Sequence, residues 1–186
     1  MGGVLFLSAP RSSRIIIIMG ERTRDELLKE LKRSQAQVSK LLESMAPVQD
    51  WQPEPAEWSF RFIAAHLATV EQACHLPRII RIASGETPWL DLFANTAADY
   101  PQQELHKSLK RWQTTRLELI QFVKSLSDQQ LAYIGIHESV GPMTVLDLLH
   151  EILDQDQGNL RHVRQLIVAY QEDQQPASHQ PTHEAL

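Results

Sequence analysis

Apolar residues along this chain recur at spacings of three and four almost throughout, which is the period of a helix buried on one side. The first block runs from Thr23 to Met45, with Leu27, Leu28, Leu31, Val38, Leu41, Leu42 and Met45 on one face. Thr23 followed by Glu26 has the form of a capping box, in which each side chain satisfies the other's backbone N–H. The second block runs from Glu57 to about Ala83, with Phe62, Ile63, His66, Leu67, Val70, Ala73 and Cys74 together; Pro77 should kink it, because it lacks a donor and crowds the preceding turn. SGETPW then ends the pattern. The third block runs from Pro101 to about Leu126 through Leu105, Leu109, Trp112, Leu117, Leu119, Ile120 and Val123. The fourth runs from Met143 to Tyr170, after the breaker pair Gly141-Pro142, with Thr144 and Asp147 placed as a second capping box.

Only Tyr133–Ile136 hints at a strand, and it is too short to carry weight. Four amphipathic helices of this length are material for an all-α four-helix bundle. The linker from Ser84 to Tyr100 exceeds a tight turn, so a long crossover is expected between helices two and three.

Composition narrows the class without changing the fold. A chain of 186 residues with 42% hydrophobic residues suits one soluble domain. Its net charge of −5 offers no basic footprint for nucleic acid. The single Cys74 excludes an intrachain disulfide framework and any cysteine-rich zinc site, and fits a reducing, cytoplasmic setting. Residues 1–18 carry two short apolar patches split by Pro10, Arg11 and Arg14. Neither approaches the roughly 18–20 apolar residues of a membrane span. They read as an extension, with Met19 as an alternative start, and 19–172 is the folded domain. Residues 173–186 read as a disordered tail; its His179 and His183 are separated by Pro181, which argues against a helical metal clip.

The candidate chemistry lies where polar residues interrupt apolar stripes. On helix four, Leu148, Leu149, Ile152, Leu160, Val163, Leu166 and Ile167 form the stripe. At about 100° per residue, His150 and Asp154 fall opposite it and His162 off its edge, whereas Asp156 and Asn159 lie within it and Gln155 on its border. On helix two, His66 also lies on the apolar face. Such groups are unfavourable inside a bundle unless paired or bound to something. They could hydrogen-bond among themselves, or they could line a pocket for a metal or small molecule.

Trp58-Ser59 followed by Ile63-Ala64-Ala65-His66-Leu67-Ala68, then Gly85-Glu86, then Gly141-Pro142-Met143-Thr144-Val145-Leu146-Asp147-Leu148-Leu149, resembles the ordered signature of the DinB-like (DNA-damage-inducible, YfiT-like) four-helix family. The resemblance spans most of Thr23 to Tyr170. It implies a divalent-metal site of three histidines, one on the second helix and two in an H-D-x-x-H run on the last. His66 matches the first, but the run here is Gln155-Asp156-Gln157-Gly158-Asn159, so both later histidines are replaced. Neutral amide oxygens are weak ligands for zinc, nickel or iron beside imidazole, and Asp156 points about 100° away from Gln155.

The resemblance therefore implies a degenerate metal position at His66, Gln155 and Asn159, with Asp156, Trp58 and Phe62 lining the pocket. No resident cofactor is expected. The corresponding function is a non-catalytic or weakly metal-binding bundle. The alternative is a metal-dependent thiol transferase or hydrolase holding a divalent cation at the same three residues. Partners implied are a second copy of the chain and an unidentified small molecule, with neither nucleic acid nor membrane. Gly158 weakens the helix by about 1 kcal/mol relative to Ala and is expected to permit close backbone packing. Lys107, Lys110, Arg111 and Arg116 read as a solvated basic face on helix three.

Overall fold

A computed structural model describes residues 22–91 and 99–175. The extension at 1–18 and most of the tail at 173–186 lie outside the described residues. Helix α1 spans Arg24–Ser44 and opens with the Thr23–Glu26 capping box. A 3₁₀ turn at Ala46–Val48 leads to α2, Phe60–Val70, whose N-cap Ser59 accepts from the Phe62 N–H at 3.2 Å. Five residues of π-helix, Glu71–His75, join α2 to α3, Leu76–Ala83, so the second long helix is one rod with a widened turn inside it. Helix α4 spans Leu105–Ser125, the short α5 spans Asp128–Leu131, and α6 runs from Val145 to Asp173 behind the Thr144–Asp147 capping box.

Three short strands correct the purely helical expectation. β1, Trp89–Leu90, pairs in parallel with β2, Ile134–His137, and β2 pairs antiparallel with β3, Gly141–Thr144. The strand hint at Tyr133–Ile136 was thus a strand after all, and the last helix starts two residues later than Met143 because Gly141–Thr144 is extended. Likewise the residues around Pro101 form a separate 3₁₀ turn, Tyr100–Gln102, before α4. Gly135 lets β2 lie against α3: a Cβ there would meet the Ile82 Cδ1 at 2.9 Å.

Helix α1 packs chiefly on α6 and α4, while α2 packs on α4 and α3 on α6, so the first and second long helices face each other across the diagonal. One apolar cluster holds Leu27, Ile82, Val123 and Leu149; the other holds Leu42, Phe60, Trp112 and Val163. Because α3 ends in the first cluster and α4 begins in the second, the linker between them must travel the length of the bundle. This is the crossover read from the sequence.

Between the two clusters lies a polar layer with a contribution from each long helix. Arg116 of α4 is 1% exposed and gives bidentate bonds to Glu71 at 2.5 and 2.9 Å and to Asp156 at 2.8 and 3.2 Å. Its Nη1 also reaches the Leu31 carbonyl of α1 at 3.0 Å, and Ser34 Oγ donates to Asp156 at 2.5 Å. Fork geometry suits a guanidinium to two carboxylates at once. Arg116 is therefore a core residue, not part of a basic face. Lys107 and Lys110 are exposed as expected, Lys107 pairing with Glu104, whereas Arg111 is half-buried and bonds Thr69 and Gln103. Leu117, counted as apolar core, is 53% exposed, because Arg116 holds the inward position beside it.

Candidate functional site

A cleft of about 340 Å³ opens between the α2–α3 rod and α6, closed at one end by β2. The rod contributes His66, Val70, Cys74, His75 and Arg78. In an unbroken α-helix, twelve residues from His66 to Arg78 would drift by about 120° around the axis. The wide turn absorbs one extra residue, roughly 100° of phase, and so keeps both ends of the rod facing the same cleft. Its hydrogen bond from the Leu76 N–H to the Glu71 carbonyl spans five residues, immediately ahead of Pro77. The proline ring would crowd a normal turn at that point, so the rod accommodates it by widening.

The same phase change exchanges two neighbours. Ala73, expected on the apolar face, is exposed, while Glu71 is buried and faces Arg116. Burial alone would raise the Glu71 carboxyl. The Arg116 guanidinium, with the hydrogen bond from His75, outweighs that effect and holds it down at about 2. His75 Nδ1 lies 3.3 Å from the Glu71 carboxylate, so it carries the proton of that contact. The imidazole is thus oriented from below by a carboxylate that is itself fixed in the core.

Helix α6 supplies the facing wall with Glu151, Gln155, Gly158 and Asn159, one helical stripe of i, i+4, i+7 and i+8. Gln155 Nε2 donates to Glu151 Oε1 at 3.2 Å. Gly158 does not serve close packing: a Cβ there would meet only the end of Arg161, at 3.9 Å. His137 closes the end from β2, its Nδ1 accepting the Ser139 backbone N–H at 3.1 Å. That bond leaves the proton of the neutral ring on Nε2, so His137 offers its other nitrogen as a donor. Cys74 is buried on the cleft wall, and burial, opposed by Arg78 and reinforced by Glu151, pushes its thiol up to about 11.

Among the residues singled out from the sequence, His66, Gln155, Asn159 and Trp58 line this one cleft. The Trp58 ring lies 4.9 Å from His66. Phe62 stands behind it, 4.8 Å from Trp58 and 5.0 Å from Tyr100, outside the lining. Asp156 also lies outside it, since its carboxylate turns to Arg116 and Ser34. His150 and His162 are half-buried rather than fully solvated. His150 edges a different surface cleft with Asp147 and Asp128, and the His162 ring sits 6.2 Å from Trp58.

Sequence reasoning missed His75, Arg78, His137 and Glu151. The first two come into position through the widened turn, and His137 through a strand pairing with a distant segment.

As a donor set, one imidazole and two neutral amides do not suit a tightly held zinc, nickel or iron ion. Among the described residues, no three His, Cys, Asp or Glu side chains converge as a metal-holding group. The ring nitrogen that His137 offers carries a proton, and a protonated nitrogen cannot ligate.

Comparison with known proteins agrees with this architecture. No match was found among curated proteins. Among solved structures, the chain is similar to YfiT from Bacillus subtilis, described as a probable metal-dependent hydrolase with an unusual four-helix bundle topology. The two share 19% identity and superpose with a TM-score of 0.71 over 88% of this chain and 93% of that one. Residues 30–163, including both walls of the cleft, match the family model of the DinB superfamily, and the chain belongs to that family.

Proposed function

We propose that this DinB-superfamily protein is a non-catalytic, small-molecule-binding bundle, at most weakly metal-binding, whose cleft is the family metal position with its ligands exchanged. The exchange at Gln155 and Asn159 carries the reading. Both side chains line the cleft, and both present neutral amides where imidazoles would hold a metal. Cys74 adds no nucleophile, because a thiol raised to about 11 stays protonated near neutral pH. A homodimer formed through the outer helix faces belongs to the same proposal, and light scattering on the purified protein checks it.

A second reading is a metal-dependent thiol transferase or hydrolase using a divalent cation at His66, Gln155 and Asn159. What favours it is the description of YfiT as a probable metal-dependent hydrolase, together with the presence of His66, His75 and His137 along one cleft. Elemental analysis of the purified protein, followed by zinc and nickel titration read by thermal shift, separates the two. The first reading expects no saturable stabilisation that depends on His66. Stoichiometric metal that is lost in His66→Ala overturns it.

A further inference from the structure

Two side chains of opposite charge face the cleft from opposite walls without meeting. Arg78, on α3, donates to the Asp91 carbonyl and forms no ion pair among the described residues. Glu151, on α6, uses one carboxylate oxygen to accept from Gln155. Its other oxygen, Oε2, is closed off from solvent and has no hydrogen-bond partner among the described residues. A carboxylate oxygen in that condition is expected to have a complement, because a buried unsatisfied acceptor is unfavourable. Both groups line the cleft with Cys74, whose thiol is raised by burial, lowered by Arg78 and raised by Glu151.

A ligand with a single charge answers only half of this arrangement. An anion on Arg78 would leave Glu151 Oε2 unpaired and repelled by the newcomer. A cation on Glu151 would leave the Arg78 guanidinium with, among the described residues, only the Asp91 carbonyl. We propose that the cleft binds a small zwitterion, its carboxylate on Arg78, its ammonium group on the Glu151 carboxylate, which turns Oε2 towards it on binding, and its apolar portion against Trp58 and Val70. The proposal rests on the reading of the cleft as a ligand site and adds the charge pattern of the ligand. The remaining polar groups are consistent with such an occupant. His137 offers an Nε2–H able to bond a carboxylate. A cleft of about 340 Å³ lies at the small end of ligand pockets, the right range for a molecule of amino-acid size.

The test compares three amino acids, L-leucine, L-methionine and L-phenylalanine, each with its deaminated acid and its decarboxylated amine. Isothermal titration gives affinities, and the Trp58 indole N–H resonance, identified through Trp58→Phe, reports occupancy of the cleft. At least one amino acid is expected to bind saturably, with both of its singly charged analogues at least tenfold weaker, which is a difference of about 1.4 kcal/mol. Glu151→Gln should remove the preference over the deaminated acid, and Arg78→Gln the preference over the amine. Equal binding of the amino acid and its deaminated acid overturns the zwitterion while leaving a ligand-binding cleft in place. Failure of all three amino acids to move the Trp58 signal also overturns it. Stoichiometric, His66-dependent metal in the separate titration overturns the underlying reading instead.

Discussion

Arg116 reaches Asp156 across the diagonal of the bundle, Nη1 to Oδ2 at 2.8 Å, with both side chains sealed from solvent. Arg116→Met would leave Asp156 and Glu71 as buried carboxylates facing an apolar side chain. Breaking a buried ion cluster from one side typically destabilises by about 3–5 kcal/mol. Urea unfolding should show a loss of that size, and Arg116→Lys should recover little of it, since an ammonium cannot fork to two carboxylates.

Acid should weaken the fold through Glu71. Its folded-state value, about 2, lies below the ordinary 4.5, so its contribution is fully present above pH 4.5 and is lost as pH falls toward 2. The linked stability is on the order of 3 kcal/mol. Unfolding free energies measured along an acid series should fall in that window, and the fall should be shallower in Glu71→Gln, which starts from a lower stability.

Gly158→Ala is expected to stabilise the protein. The position is mid-helix with open space around the missing Cβ, so the change recovers helix propensity of about 0.5–1 kcal/mol without a clash. The new methyl group projects from the cleft wall, so the same variant should bind any cleft ligand more weakly. Thermal unfolding and ligand titration on one sample would show the two effects moving in opposite directions.

Cys74 should resist alkylation in the native protein. With a thiol raised to about 11, only about one molecule in a thousand is thiolate at pH 8. Labelling by iodoacetamide, followed by mass, should be far slower than in the urea-unfolded chain. A native rate close to the unfolded one would contradict the burial assigned to this residue.

The long elements were legible in the sequence because their signals are local. Thr23 with Glu26 and Thr144 with Asp147 form the capping boxes read from the sequence, and Ser59 caps α2 within three residues of the expected start at Glu57. Arg116 was legible too, had the stripe been followed strictly: Leu105, Leu109, Trp112, Leu119 and Val123 leave position 116 as the inward one. What could not be read was set at long range. Strands of two and four residues form only because Trp89 finds Ile136, and no local periodicity announces so short a pairing. The widened turn was announced only in part, since Pro77 marks a disturbance of the helix but not that it takes the form of an extra residue between Glu71 and His75. The candidate site was therefore half visible. The wall on α6 and His66 followed from a regular helix, and the wall beyond Val70 did not.

That widened turn sets how the second rod would respond to a change of length. Removing a single residue between Glu71 and His75 would give a more regular helix with an uninterrupted ladder of hydrogen bonds. It would leave everything downstream close to its present phase, whereas drawing all of the present residues into a regular helix would turn the downstream part by about 100° and carry His75 and Arg78 away from the cleft. For a rod of this length, an unbroken ladder and a cleft lined from both of its ends exclude each other, and the widened turn is what keeps the cleft.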